Sequence, residues 1–81
     1  MKKVEKIIQK MLNKPREMRF EEVKKVLLYE GWALDKIKGS HHIFIKDDLT
    51  LVIPMHHGLV KGVYIKRAVI ELELEEKYGK K

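Results

Sequence analysis

The sequence predicts an α+β fold: a two-layer sandwich in which a three-stranded antiparallel sheet carries helices on one face, with a further helix at the N-terminus. Three observations predict it. Apolar residues recur at helical spacing near both ends of the chain, the middle alternates with the period of two that marks strands, and turn residues cut that middle into three. Eighty-one residues with no repeat and no low-complexity stretch make a single domain, 1–81.

Val4, Ile7, Ile8, Met11 and Leu12 lie three or four apart between Lys and Glu, so residues 3–13 form a short amphipathic helix. Asn13-Lys14-Pro15 ends it, because a proline biases the residue before it away from the helical region. Residues 16–19 read as a charged connection. Phe20, Val23, Val26 and Leu27 then share a face, with Glu21 and Glu22 in the first turn where the helix dipole favours negative charge, and Gly31 supplies the stop.

Trp32 to Lys38 reads as an edge-type strand and Gly39-Ser40 as a turn. His41 to Lys46 alternates cleanly, Asp47-Asp48 turns the chain, and Leu49 to Ile53 is the third strand, closed by Pro54. Met55 to Gly62 reads as a loop holding His56, His57 and two glycines. One last helix runs from about Val63 to Lys77 on Ile65, Ala68, Val69 and Leu72. Three strands joined by short turns make an antiparallel meander, whose one face the flanking helices can cover.

Composition narrows the chemistry. With no cysteine there are no disulfides, thiolate zinc sites, iron–sulfur clusters or thiol nucleophiles. A chain of this size builds a modest core and no large enclosed pocket, so no cofactor is expected. No apolar run approaches the roughly 20 residues that cross a bilayer, and charges interrupt residues 1–10, so the expectation is a soluble, cytoplasmic protein without a membrane partner. Eighteen Lys and Arg against twelve Asp and Glu give a net charge of +6, which points to a polyanionic partner, either nucleic acid or an acidic protein.

All four histidines fall in two adjacent pairs, His41-His42 and His56-His57. Imidazole is the side chain best suited to giving and taking protons near neutrality. If Ile43 and Ile45 face the helices, His41 starts the buried face, while His42, Phe44 and Lys46 point together to the open face as a surface for base stacking and phosphate contact. The opposite register, with Phe44 buried, reverses the assignment. A metal site would need one His from each pair plus Asp47 or Asp48, and no known ligand spacing is present. Ser40 is a turn residue rather than a nucleophile paired with its neighbour.

Gly39-Ser40-His41-His42-Ile43-Phe44, preceded by a helix ending in Glu30-Gly31-Trp32 and followed by Ile53-Pro54-Met55-His56-His57-Gly58 and a closing helix, resembles the HicA (YcfA-like) toxin family. The resemblance covers residues 20–78, and with Pro15, Arg19 and Phe20 it extends to members with an N-terminal extension, here residues 1–19. It implies a fold like that of double-stranded RNA-binding domains, α-β-β-β-α, and an mRNA interferase of a toxin–antitoxin pair. It places the catalytic histidine at the last position of Gly-Ser-x-His, His42, and implies a HicB antitoxin that covers this surface in a heteromeric complex. Where many members read Gly-Thr-Leu-Arg at the opening of the last helix, this chain reads Gly62-Val63-Tyr64-Ile65-Lys66-Arg67, so the basic residue is displaced.

The expected function is therefore metal-independent cleavage of mRNA by acid–base chemistry. His42 is the catalytic residue, Gly39, Ser40, His41 and His57 support it, and Lys38, Phe44, Lys46, Lys66 and Arg67 contact RNA. His56 is the alternative to His57 as second acid or base, and Lys36 and Lys61 are further phosphate contacts. Two other classes fit the same composition: a non-catalytic RNA-binding module, and a protein-interaction subunit whose basic face meets an acidic antitoxin-like partner.

Overall fold

The computed structural model describes residues 2–79. Its elements are α1 (Lys3–Leu12), β1 (Glu17–Arg19), α2 (Phe20–Tyr29), β2 (Ala33–Lys38), β3 (His41–Lys46), β4 (Leu49–Pro54), β5 (Leu59–Lys61), α3 (Gly62–Glu71) and α4 (Leu74–Tyr78). The expected antiparallel sheet is present in the order β2-β3-β4, with a bulge in β2 between Leu34 and Lys36.

Three departures from the sequence reading matter for the site. First, the charged connection and the histidine loop hold a second sheet. β1 pairs antiparallel with β5, setting Glu17 opposite Lys61 and Arg19 opposite Leu59, with Met18 and Val60 buried between them. Each strand of this ribbon launches a helix. The first N–H of α2, on Phe20, donates to the Gly58 carbonyl at 2.8 Å, and the first of α3, on Gly62, donates to the Arg16 carbonyl at 2.6 Å. Neither helix has a side-chain cap, so the ribbon backbone satisfies these otherwise unpaired donors.

Second, the register of β3 is the reverse of the one that exposed His42. His42 and Phe44 are buried and lie opposite Ile53 and Leu51, which are buried too. Ile43 and Ile45 lie opposite Val52 and Thr50 on the other face, where Ile45 and Val52 are exposed. Third, the last helix breaks. Leu72 and Leu74 both reach the core, yet in a continuous helix residues two apart point about 200° away from each other. Glu73 adopts left-handed backbone, φ 54°, and the break turns both leucines inward.

The core lies between the sheet and the helices. It joins Val4, Ile7, Ile8 and Met11 of α1 to Phe20, Val23, Val26 and Leu27 of α2, and these to Phe44, Ile53, Ile65 and Ala68. The N-terminal helix is thus built into the fold, since α1 packs against α2, α3 and α4. Gly31 (φ 94°) ends α2: Trp32 N–H reaches the Leu27 carbonyl at 2.9 Å and Gly31 N–H the Leu28 carbonyl at 3.1 Å, a Schellman closure.

Glu30 ties this end of α2 to its neighbours. Its carboxylate accepts from Tyr78 Oη at 2.7 Å and Lys77 Nζ at 2.8 Å, and its carbonyl accepts from Lys46 Nζ at 2.9 Å. Burial alone would raise the Glu30 carboxyl, but the hydrogen bonds from Lys77 and Tyr78, with the charges of Lys77 and Lys46, hold it below its usual value. The same bond to Glu30, aided by burial, pushes the Tyr78 hydroxyl up to about 12. Among the described residues no helix is long and apolar enough to cross a membrane.

Candidate active site around His42

His42 is the one polar or charged residue buried as a whole among the described residues, at 6% exposure. The alternation of β3 sends it inward beside Phe44, and the first residue of α2 meets it there: the Phe20 and His42 ring centroids are 4.3 Å apart and inclined at 44°. Nδ1 lies 3.3 Å from the Ser40 carbonyl. A carbonyl only accepts, so this contact assigns the proton of the neutral ring to Nδ1 and leaves the lone pair on Nε2. Among the described residues Nε2 has no hydrogen-bond partner and no fully buried side-chain nitrogen or oxygen lacks one, so Nε2 keeps some exposure. Held on one nitrogen and open on the other, the ring is arranged to take a proton at Nε2.

Backbone contacts gather the second histidine pair at the same corner. The Ser40 carbonyl that faces Nδ1 also accepts the Met55 N–H at 2.8 Å. From there the chain forms a two-residue hairpin, with His56 and Leu59 exchanging both backbone hydrogen bonds at 2.9 Å. His57 (φ 55°) and Gly58 (φ 78°) occupy its tip, the pair of left-handed residues of a type I′ turn. Gly58 then bonds Phe20 N–H. The His57 turn is therefore anchored between Ser40 and Phe20, both of which contact the His42 ring, and its side chain is exposed.

The other expected site residues separate into groups. Gly39 (φ 60°) makes the turn before Ser40. His41 and Lys38 lie opposite each other, exposed on the open sheet face, with Lys36 nearby in β2. His41 is thus not the buried member of its pair. It lines a depression of about 340 Å³ that also takes in Thr50, Val52, Tyr64, Arg67 and Glu71. Lys66, one residue from Arg67, instead lines shallow hollows beside Lys14. Lys61 is exposed on the ribbon.

Two expected RNA contacts are corrected. Phe44 is fully buried and 6.4 Å from the Phe20 ring, so it packs the core and offers no face to a base. Lys46 is half-buried and directed to the Glu30 carbonyl at the end of α2, where a cation complements the helix dipole, so it fastens the fold. Sequence reasoning missed Phe20, the Met55 amide and Gly58 as parts of the site. A signal for the last was present: His-Gly is a pair that tolerates positive φ, flanked here by Met55 and Leu59. Among the described residues no three His, Asp or Glu side chains cluster as metal ligands would.

A family model described as the HicA toxin of bacterial toxin–antitoxin matches residues 20–71. No curated protein and no solved structure matches the chain. The matched segment runs from Phe20 to the end of α3 and contains His42 with its whole setting of Phe20, Ser40, Met55 and the His57-Gly58 turn, while α1, β1 and α4 lie outside it. With most of its length matched, the chain belongs to the HicA toxin family, the toxin side of a toxin–antitoxin pair.

Proposed function

We propose that the protein is an endoribonuclease that cleaves mRNA by acid–base catalysis at His42, acts in the cytoplasm where mRNA lies, and is restrained by a HicB-like antitoxin covering the His42 corner. The observation that carries this reading is a single buried imidazole with Nδ1 engaged and Nε2 open. A buried polar group is costly unless it has a partner, and a fold that retains one with a free lone pair has kept a proton acceptor.

In the reaction, Nε2 takes the proton of a ribose 2′-hydroxyl. The 2′-oxygen attacks the adjacent phosphorus, the bond to the 5′-oxygen breaks, and that oxygen leaves with a proton from a second acid. The products are a 2′,3′-cyclic phosphate and a 5′-hydroxyl. Proton transfer by a positioned side chain contributes about 10²- to 10⁴-fold. His57 at the hairpin tip is the candidate second acid, with His56 the alternative. Lys38, Arg67 and Lys66 are candidates for neutralising phosphate, and His41 for contact from the open face.

The test is incubation of labelled single-stranded mRNA with EDTA and either the wild type or His42→Ala, each checked for fold by circular dichroism. Metal-free cleavage by the wild type alone, leaving cyclic phosphate ends, supports the proposal. Equal cleavage by both removes His42 from the reaction, and binding without cleavage by either makes the chain a non-catalytic RNA-binding module. Copurification with the product of an adjacent reading frame, together with loss of cleavage on its addition, tests the antitoxin.

A further inference from the structure

The net charge is unevenly placed. Residues 1–19 carry seven Lys and Arg against Glu5 and Glu17, a net +5, whereas residues 20–71, the segment matched to the family, hold eight cations against seven carboxylates, a net +1. The segment that contains His42 is thus close to neutral, and the attraction for a polyanion arises mostly from the residues before it.

The fold gathers part of that charge, Lys3, Lys6 and Lys10, along one groove. α1 and α2 pack antiparallel: Lys10 near the end of α1 bridges Glu22 in the first turn of α2 at 3.0 Å, while Lys2 at the start of α1 lies 5.9 Å from the centre of the Tyr29 ring at the end of α2. Between them runs a groove of about 480 Å³ lined by Lys3, Lys6, Lys10, Lys25, Ile7 and the carboxylates Glu21 and Glu22. Lys3, Lys6 and Lys10 follow at three- and four-residue intervals, hence on one face of α1, over about 10 Å at 1.5 Å per residue. Lys10 neutralises Glu22, and among the described residues Lys3, Lys6 and Lys25 form no ion pair.

We infer that this groove is a docking surface for the phosphate backbone of RNA, separate from the reacting atoms at His42. Flexible ammonium groups read phosphate as point charges, whereas no aromatic residue lines the groove between its ends and its one apolar lining residue, Ile7, is buried in the core. That is too little for the desolvated centre on which a protein partner depends. Glu21 directs the strand toward the α1 side. At the first turn of α2 the groove residue Glu21 directly follows Phe20, whose ring lies against His42, so the groove and His42 flank the same turn of the helix. The choice of RNA as the polyanion rests on the ribonuclease reading; the charge placement does not.

The experiment measures binding of a short unstructured RNA to the full-length protein against salt, in a His42→Ala background so that the RNA survives. The variants are Lys3→Gln/Lys6→Gln/Lys25→Gln and, as the charge-preserving control for folding, the same three positions changed to Arg. Each phosphate contact to a single strand contributes about 0.7 to the log–log salt slope, so the Gln variant should bind with a slope shallower by about 2 and up to ~100-fold more weakly near 0.1 M salt. The Arg variant should bind as its parent does. With His42 restored, the Gln variant should raise KM and leave kcat unchanged. A Gln variant with its parent's slope, or no RNA binding by the parent at any salt, overturns the docking surface. The two readings fail separately: a parent that binds through these lysines while the wild type does not cleave retains the groove and removes the ribonuclease, and cleavage with a lysine-independent slope does the opposite.

Discussion

Tyr78→Phe removes one hydroxyl from the fastening at Glu30 and leaves the ring packed. In the folded chain that hydroxyl donates to Glu30 Oε2 at 2.7 Å, Lys77 holds the other carboxylate oxygen at 2.8 Å, and the Glu30 side chain is only 7% exposed. A hydrogen bond to a charged group contributes about 1.5–3 kcal/mol. Lys77 is 42% exposed and brings solvent close, so the lower end, about 1.5 kcal/mol, applies here. For a domain of this size, 1 kcal/mol shifts Tm by about 4–8 °C, giving an expected drop of roughly 6–12 °C by thermal circular dichroism near neutral pH. The pH dependence carries a sign at each end. Because Glu30 sits below its usual 4.5 in the folded state, its contribution is present above pH 4.5 and lost as pH falls through the lower folded value, so wild type and variant converge in acid. Because Tyr78 is pushed up from 10 to about 12, its contribution is intact below pH 10 and lost as pH rises from 10 toward 12, a loss the Phe variant does not show. A Tm change below about 2 °C, or a gap that stays constant below pH 4.5, would refute the argument that the ionised carboxylate organises this corner.

Phe20→Leu keeps an apolar residue at the head of α2 and removes the ring beside His42, at an expected cost of about 1–2 kcal/mol. Cleavage should lose kcat more than KM, and an unchanged kcat would show that the ring does not position the imidazole. Phe44→Ala should cost about 3–5 kcal/mol in a denaturant titration while the folded fraction binds RNA as before. The converse result, weak binding with little loss of stability, would make Phe44 a stacking surface after all.

The sequence made the helices and the meander legible because each depends on a local repeat. The apolar spacing of α1 and α2, Gly31 after α2, and Gly39-Ser40 and Asp47-Asp48 at the turns were all readable in a few residues. What was hidden depends on distant partners. Glu17–Arg19 is too short and too charged to announce a strand, and becomes one only because Leu59–Lys61 comes alongside. The β3 stretch is apolar on both faces, so its own residues do not decide the register; Leu51 and Ile53 decide it by joining Phe44 and His42 inside. The break at Glu73 has no glycine or proline to mark it and follows from two leucines seeking one core. His42 was singled out from its motif, but its burial, and with it the contact with Phe20, needed the register.

Pairing residues 17–19 with 59–61 has a consequence for how the protein is made. At about 5–20 residues per second, the ribosome needs some 2–8 s after Met18 to supply Val60, its partner across the ribbon. Through that interval β1 is an unpaired edge, and α1 lacks the later helices that help bury Val4, Ile8 and Met11. Residues 17–19 are therefore secured only after residues 59–61 have been made, and the ribbon that launches α2 beside His42, though its first strand comes before that helix, waits for a strand that follows the whole meander.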